Sequence, residues 1–212
     1  MTDDLTTSPR VPHRPGTAAA FPRGAWIGAN AAGIAIAFGL FALVGGVIEA
    51  MGADHDSVAR NLPALVAMAA GGLAFALLRR RALRANGSGS RRQLLLIAVC
   101  PPVGLLLGLG IAPFDWICAM LLAGTVGGAI QLRRYRPVSL RSVLVGAASW
   151  LGAGLIFTAT AVVLIDVVMV RLLGLDGDSA AGFVIILTVL GLAGGAAGGA
   201  IEGRTVARLR GS

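Results

Sequence analysis

Few side chains in this sequence are equipped for chemistry. Asp54-His55-Asp56 sets three candidate metal ligands in a row, and a closed site would need more groups, such as Glu49 or Asp115. A solvated loop is the simpler expectation, so no metal is assigned. The two histidines, His13 and His55, lie outside the apolar runs, which removes histidine catalysis within a membrane. Neither a Gly-x-Ser-x-Gly elbow nor a His-Glu-x-x-His pair occurs. Cys100 and Cys118 fall in consecutive apolar runs at different expected depths, which argues against a disulfide. No catalytic residue and no cofactor is assigned, and a non-enzymatic role is expected.

Asp176-Gly-Asp-Ser-Ala-Ala-Gly182 begins like the motif of the CDP-alcohol phosphotransferases, but Ala181 stands where the arginine belongs and the later aspartates are missing. That reading is set aside.

The elements that would position any site are apolar runs. The chain is 56% hydrophobic and 13% charged, where soluble domains carry roughly 25% charge. Six runs are long enough for a ~30 Å hydrocarbon core: 26–48, 62–78, 94–114, 116–132, 143–165 and 180–201. The expected fold is all-α, a polytopic membrane bundle of six transmembrane helices over residues 26–210. Residues 1–25 read as a disordered, Pro- and Thr-rich tail. The first run is too long for the core of a cleavable signal peptide.

Arginine supplies the whole basic charge. Of the 18, all but Arg60 and Arg171 fall on one side if the six runs alternate direction. The positive-inside rule then puts both termini in the cytoplasm and folds the chain as three hairpins in a bacterial plasma (inner) membrane. Of the acids, only Asp3, Asp4 and Glu202 share the arginine side. The arginines sit at the ends of apolar runs without stacking aromatics between them, so the net charge of +8 does not indicate nucleic-acid binding. The clusters over 79–92 and 133–141 suit anionic lipid headgroups.

Small residues are ordered along two runs. Gly191, Gly195, Gly199 and Gly203 recur every four residues, with Gly194 and Gly198 widening the stripe. Ala25, Ala29, Gly33 and Ala37 do the same in the first run. Glycine inside an aqueous helix costs roughly 1 kcal/mol against alanine, whereas in lipid such stripes let helix backbones approach closely. These are the expected helix-packing residues, against another helix of this chain, a second copy or a membrane-protein partner. Pro101-Pro102 should kink or break the third run: a plain kink is the simpler expectation, and a helix break of the kind transporters use at binding sites is the alternative. The middles of the runs carry threonines (Thr125, Thr158, Thr160 and Thr188) and no ionisable group, which weighs against an ion-coupled pathway.

Two runs end alike, in Gly127-Gly-Ala-Ile-Gln131 and Gly198-Gly-Ala-Ile-Glu202. Here the sequence resembles bacterial polytopic membrane proteins of unassigned function built of glycine-rich hairpins that end in a Gln and a basic cluster. The resemblance implies a membrane bundle and carries no activity. The leading expectation is a helix-packing subunit, accessory or scaffold protein. The alternative is a small-solute permease or the membrane-embedded binding subunit of a transporter, which would need a polar cavity within the bundle.

Overall fold

Apolar residues cover every face of these helices, so interior and exterior must be told apart by side-chain size and polarity rather than by an amphipathic stripe. The computed structural model describes residues 21–52, 58–83, 90–108, 114–133, 138–164 and 180–211, with 167 and 171. Among the described residues there are six α-helices: α1 (Arg23–Ala50), α2 (Val58–Ala82), α3 (Arg91–Leu107), α4 (Phe114–Leu132), α5 (Leu140–Val163) and α6 (Ala180–Gly211). Five hold stretches long and apolar enough to cross a membrane: α1, Leu62–Ala82, Asp115–Leu132, α5 and Ala181–Arg208. With 17 residues, α3 is about 25 Å long, short of a ~30 Å core. The chain is thus built as a multi-pass membrane protein.

Each helix packs on the next in sequence, and α6 returns to α1, so the six form a closed ring. Neighbours run antiparallel. Gly33 of α1 meets Phe75 of α2 while Ala37 meets Gly71. Gly104 and Gly108 of α3 meet Ala119 and Asp115 of α4, and Gly198 and Gly194 of α6 meet Trp150 and Phe157 of α5. The outer surface carries exposed Leu43, Val47, Leu62, Val66, Leu95, Leu107, Leu144, Leu155, Val162 and Ile185, a surface suited to lipid rather than water.

The ring is filled by side chains. At the end away from the arginine clusters, Phe38 stacks edge-on to Trp116 at 5.0 Å and to Phe157 at 5.2 Å. At the basic end, Trp26, Leu83, Leu132 and Val206 form a separate apolar cluster, with Phe21 against it.

Several boundaries depart from the sequence reading. The third run was expected to continue to Phe114, but α3 ends at Leu107 and Phe114 begins α4. Gly108 closes α3, its N–H reaching the Gly104 and Leu105 carbonyls, and its Cα lies against that of Asp115, where a side chain would not fit. The expected tail reached residue 25, but α1 starts at Arg23. The second and sixth runs extend past their expected ends at 78 and 201 into the arginines, α2 through Arg79–Arg81 and α6 through Arg204 and Arg208, whereas α4 ends at Leu132, before Arg133. Arginine is a good helix former and complements the carbonyl end of the helix dipole.

The candidate break at Pro101-Pro102 is likewise absent, since α3 is continuous across both residues and both are buried. Pro102 cannot donate to the Ala98 carbonyl. That oxygen instead lies against Gly72 of α2, where an added Cβ would be 2.5 Å away. Close approach of a glycine backbone covers the unpaired carbonyl without breaking the helix.

Candidate functional site

On α2 the buried positions Met68, Gly71/Gly72, Phe75/Ala76 and Arg79 recur every three or four residues, one helical face turned to the ring's interior, and Leu83 just past the helix continues it. That phase carries Arg79 inward, while Arg81, two residues on, is exposed. On α6, Gly194, Gly198, Glu202 and Val206, all buried and four residues apart, form the matching inward face. The two faces bring opposite charges together inside an apolar bundle.

Arg79 Nη2 donates to Glu202 Oε2 at 2.6 Å, and the two side chains are 0% and 3% exposed. Arg79 Nη1 donates to the Gly124 carbonyl of α4 at 3.2 Å. Trp150 Nε1 of α5 reaches the same Glu202 oxygen at 3.4 Å. Three rings flank the guanidinium: Trp26 at 4.0 Å, Phe75 at 4.8 Å and Trp150 at 5.9 Å. Arginine suits such a site because its weakly hydrated planar fork can donate in-plane while its faces lie on aromatic rings.

Two amides complete the layer, Asn30 buried and Gln131 half-buried. Asn30 Nδ2 donates to the Trp26 carbonyl at 2.6 Å, and Gln131 Nε2 of α4 donates to the Ala76 carbonyl of α2 at 2.6 Å. Gln131 and Glu202, which occupy equivalent places in the Gly-Gly-Ala-Ile-Gln/Glu repeats, therefore both engage α2 near Arg79. Phe75, four residues after Gly71, holds the corresponding place in α2 and supplies one of the flanking rings.

This arrangement corrects one expectation. Arg79 had been grouped with the arginines facing lipid headgroups, but it is buried and paired to an acid. The sequence held the signal in two places: Glu202 is the one acid of the basic side outside the N-terminal tail, and Arg79 lies four residues past Phe75 on the inward phase. A run of arginines hides which of them turns inward.

The small-residue stripes lie at two different joints. A Cβ added at Gly191 would be 2.7 Å from Ala35 Cα, at Gly195 2.5 Å from the Asn30 carbonyl oxygen, and at Gly199 2.9 Å from Asn30 Cβ. All three sites belong to the α1/α6 contact. Gly203 has ordinary contact distances, 3.5 Å to Phe21 and Trp26. Gly194 and Gly198 turn instead to Met120, Phe157 and Trp150 in the interior. Ala29, Gly33 and Ala37 face α2: Gly33 abuts Phe75, Ala37 abuts Gly71, and Ala29 lines a groove with Leu78 and Arg81.

Of the threonines, Thr158 and Thr188 donate to the Gly154 and Val184 carbonyls at 3.1 and 2.7 Å, each one turn back. Asp54, His55 and Asp56 lie outside the described residues, as does Asp176-Gly-Asp-Ser. Among the described residues no three His, Cys, Asp or Glu side chains gather. Cys100 and Cys118 are free thiols.

An open cleft of about 550 Å³ at the basic end is lined by Gln93, Ala129, Ile130, Arg133 and Val138. An apolar groove between α1 and α6 runs past Ile36, Gly39, Leu43, Val184 and Leu192.

Comparison with protein-family models, curated proteins and solved structures finds no match to this chain, so neither the helix-end resemblance nor any activity gains support there.

Proposed function

We propose that this chain is a non-enzymatic protein of a bacterial plasma (inner) membrane, acting through helix packing as a subunit, accessory or scaffold. Its six helices would cross as three hairpins with both termini cytoplasmic, which puts the Arg79–Glu202 layer near the inner surface. The observation that carries the reading is how the interior charge is used. Arg79 and Glu202 hold each other, the Gly124 carbonyl accepts from Arg79, Trp150 donates to Glu202, and aromatic rings close around them. A charge pair spent on its own fold favours a fixed bundle over a moving pathway. The exposed Arg81 and Arg133 border grooves at the basic end and suit anionic headgroups.

The test is affinity purification from membranes in mild detergent, with identification of what stays bound. A stoichiometric membrane-protein partner or a stable homo-oligomer supports the proposal. A monomer that carries a small solute across proteoliposome membranes replaces it with the permease or transporter-subunit reading.

A further inference from the structure

Four buried polar atoms in the Arg79 layer have no hydrogen-bond partner: Arg79 Nε, Trp26 Nε1, Asn30 Oδ1 and Gln131 Oε1. The first three belong to side chains that are 0% exposed. Contacts connect their residues. Arg79 lies over the Trp26 ring, Asn30 is bonded to the Trp26 carbonyl, and Gln131 is bonded to the Ala76 carbonyl, one turn before Arg79. Leaving such groups dry is costly, and buried sites of this kind are ordinarily filled by a ligand or by ordered water.

The chemistry selects the occupant. Two of the atoms are obligate donors, an arginine and an indole N–H. The other two are acceptors, and their identity is fixed rather than arbitrary. Each amide presents its nitrogen to a backbone carbonyl, which only accepts, so its oxygen must point elsewhere. An anion would meet the two amide oxygens unfavourably, and a cation would meet Arg79. Neutral molecules that both donate and accept suit atoms of both kinds.

We propose that the Arg79 layer is a built hydration site, in which ordered water joins Arg79 and Trp26 to Asn30 and Gln131. Apolar side chains border the layer: Trp26 belongs to the cluster with Leu83, Leu132 and Val206 at the basic end, and Phe75 to the main core with Ile34 and Ile97. Water beside Arg79, Trp26 and Asn30, whose side chains are 0% exposed, is resident rather than bulk.

X-ray radiolytic labelling of the full chain in lipid nanodiscs tests this, because hydroxyl radicals made from bound water oxidise side chains beside it even when bulk water is excluded. Trp26 is compared with Phe38 and Phe157, which are as deeply buried but lie in the aromatic cluster at the far end. Each rate is normalised to that of the unfolded chain. Trp26 should then label severalfold faster than either phenylalanine. Equal rates would overturn the proposal and mean that ring faces alone satisfy Arg79. Asn30→Leu and Gln131→Leu each remove an acceptor and should lower Trp26 labelling toward the phenylalanine level. Unchanged labelling in both folded variants would point to leakage of bulk solvent and also overturn it. The wild-type comparison decides by itself if a variant does not fold.

Discussion

Arg79 and Glu202 are 123 positions apart in sequence and 2.6 Å apart in space, and neither reaches the surface of the bundle. The pair ties the second helix to the sixth across the ring, where these helices are not neighbours. A buried ion pair is seldom a large net source of stability, because desolvation offsets the attraction. Its leverage is asymmetric, since removing one partner strands the other charge in an apolar interior.

That asymmetry gives a double-mutant prediction. Glu202→Leu alone should destabilise the bundle by about 3–5 kcal/mol, as should Arg79→Met alone. The double variant should be more stable than either single one, since no charge is left unpaired. Arg79→Lys should recover only part of the loss, because a lysine cannot both reach the Gly124 carbonyl and stack over Trp26. Thermal aggregation in detergent ranks the four proteins, and additive losses in the double variant would count against a coupled pair.

Much of the architecture could be read from run lengths and small-residue spacing, because a bilayer demands long apolar helices and lipid offers no force to join them but close contact. The polar layer was harder to read. Position in a run suggests depth, and Arg79 near the end of its run looked like a residue in water. Its burial depends on helical phase and on groups from four other helices, Trp26, Gly124, Trp150 and Glu202, closing around it. Likewise the continuity of α3 through Pro101-Pro102 was hidden in the sequence, because the Gly72 backbone that lies against Ala98 is remote from it. Gly194 and Gly198 looked like a widening of one stripe, and only the placement of α5 shows that they face Trp150 and Phe157 instead.

The topology can be tested by thiol labelling in whole cells, with Cys100 and Cys118 replaced by alanine. A cysteine at Ser57 should react with an impermeant reagent and one at Ser88 should not, because arginines concentrate on the Ser88 side. The reverse pattern would invert the bundle in the membrane.

The Asp54-His55-Asp56 sequence supplies too few ligands for a closed site. Calorimetric titration of the purified protein with Zn²⁺ and Ca²⁺ should show nothing beyond weak surface association. A stoichiometric micromolar site would promote cation handling over packing.

The α1/α6 joint offers the sharpest test of helix packing. Gly195 lies against the Asn30 carbonyl and Ala31 Cα at distances where even a methyl group would collide. Gly195→Leu would therefore push α6 away from α1, and overpacking of this kind typically costs ~1–3 kcal/mol. The helices could not separate there without disturbing Asn30, which also borders Gly199, so the polar layer would be strained as well. Leucine is favourable in lipid and better than glycine in a helix, so insertion should not suffer and the loss is assignable to packing. Val189→Leu is the control: Val189 is 39% exposed and should accept a similar apolar side chain with little change. Gly203→Ala is a second control, since a Cβ there would make only ordinary contacts. Thermal aggregation in detergent should place Gly195→Leu well below both. If it matched them, the α1/α6 contact would contribute nothing to holding the bundle, and the spacing of four would be no more than composition.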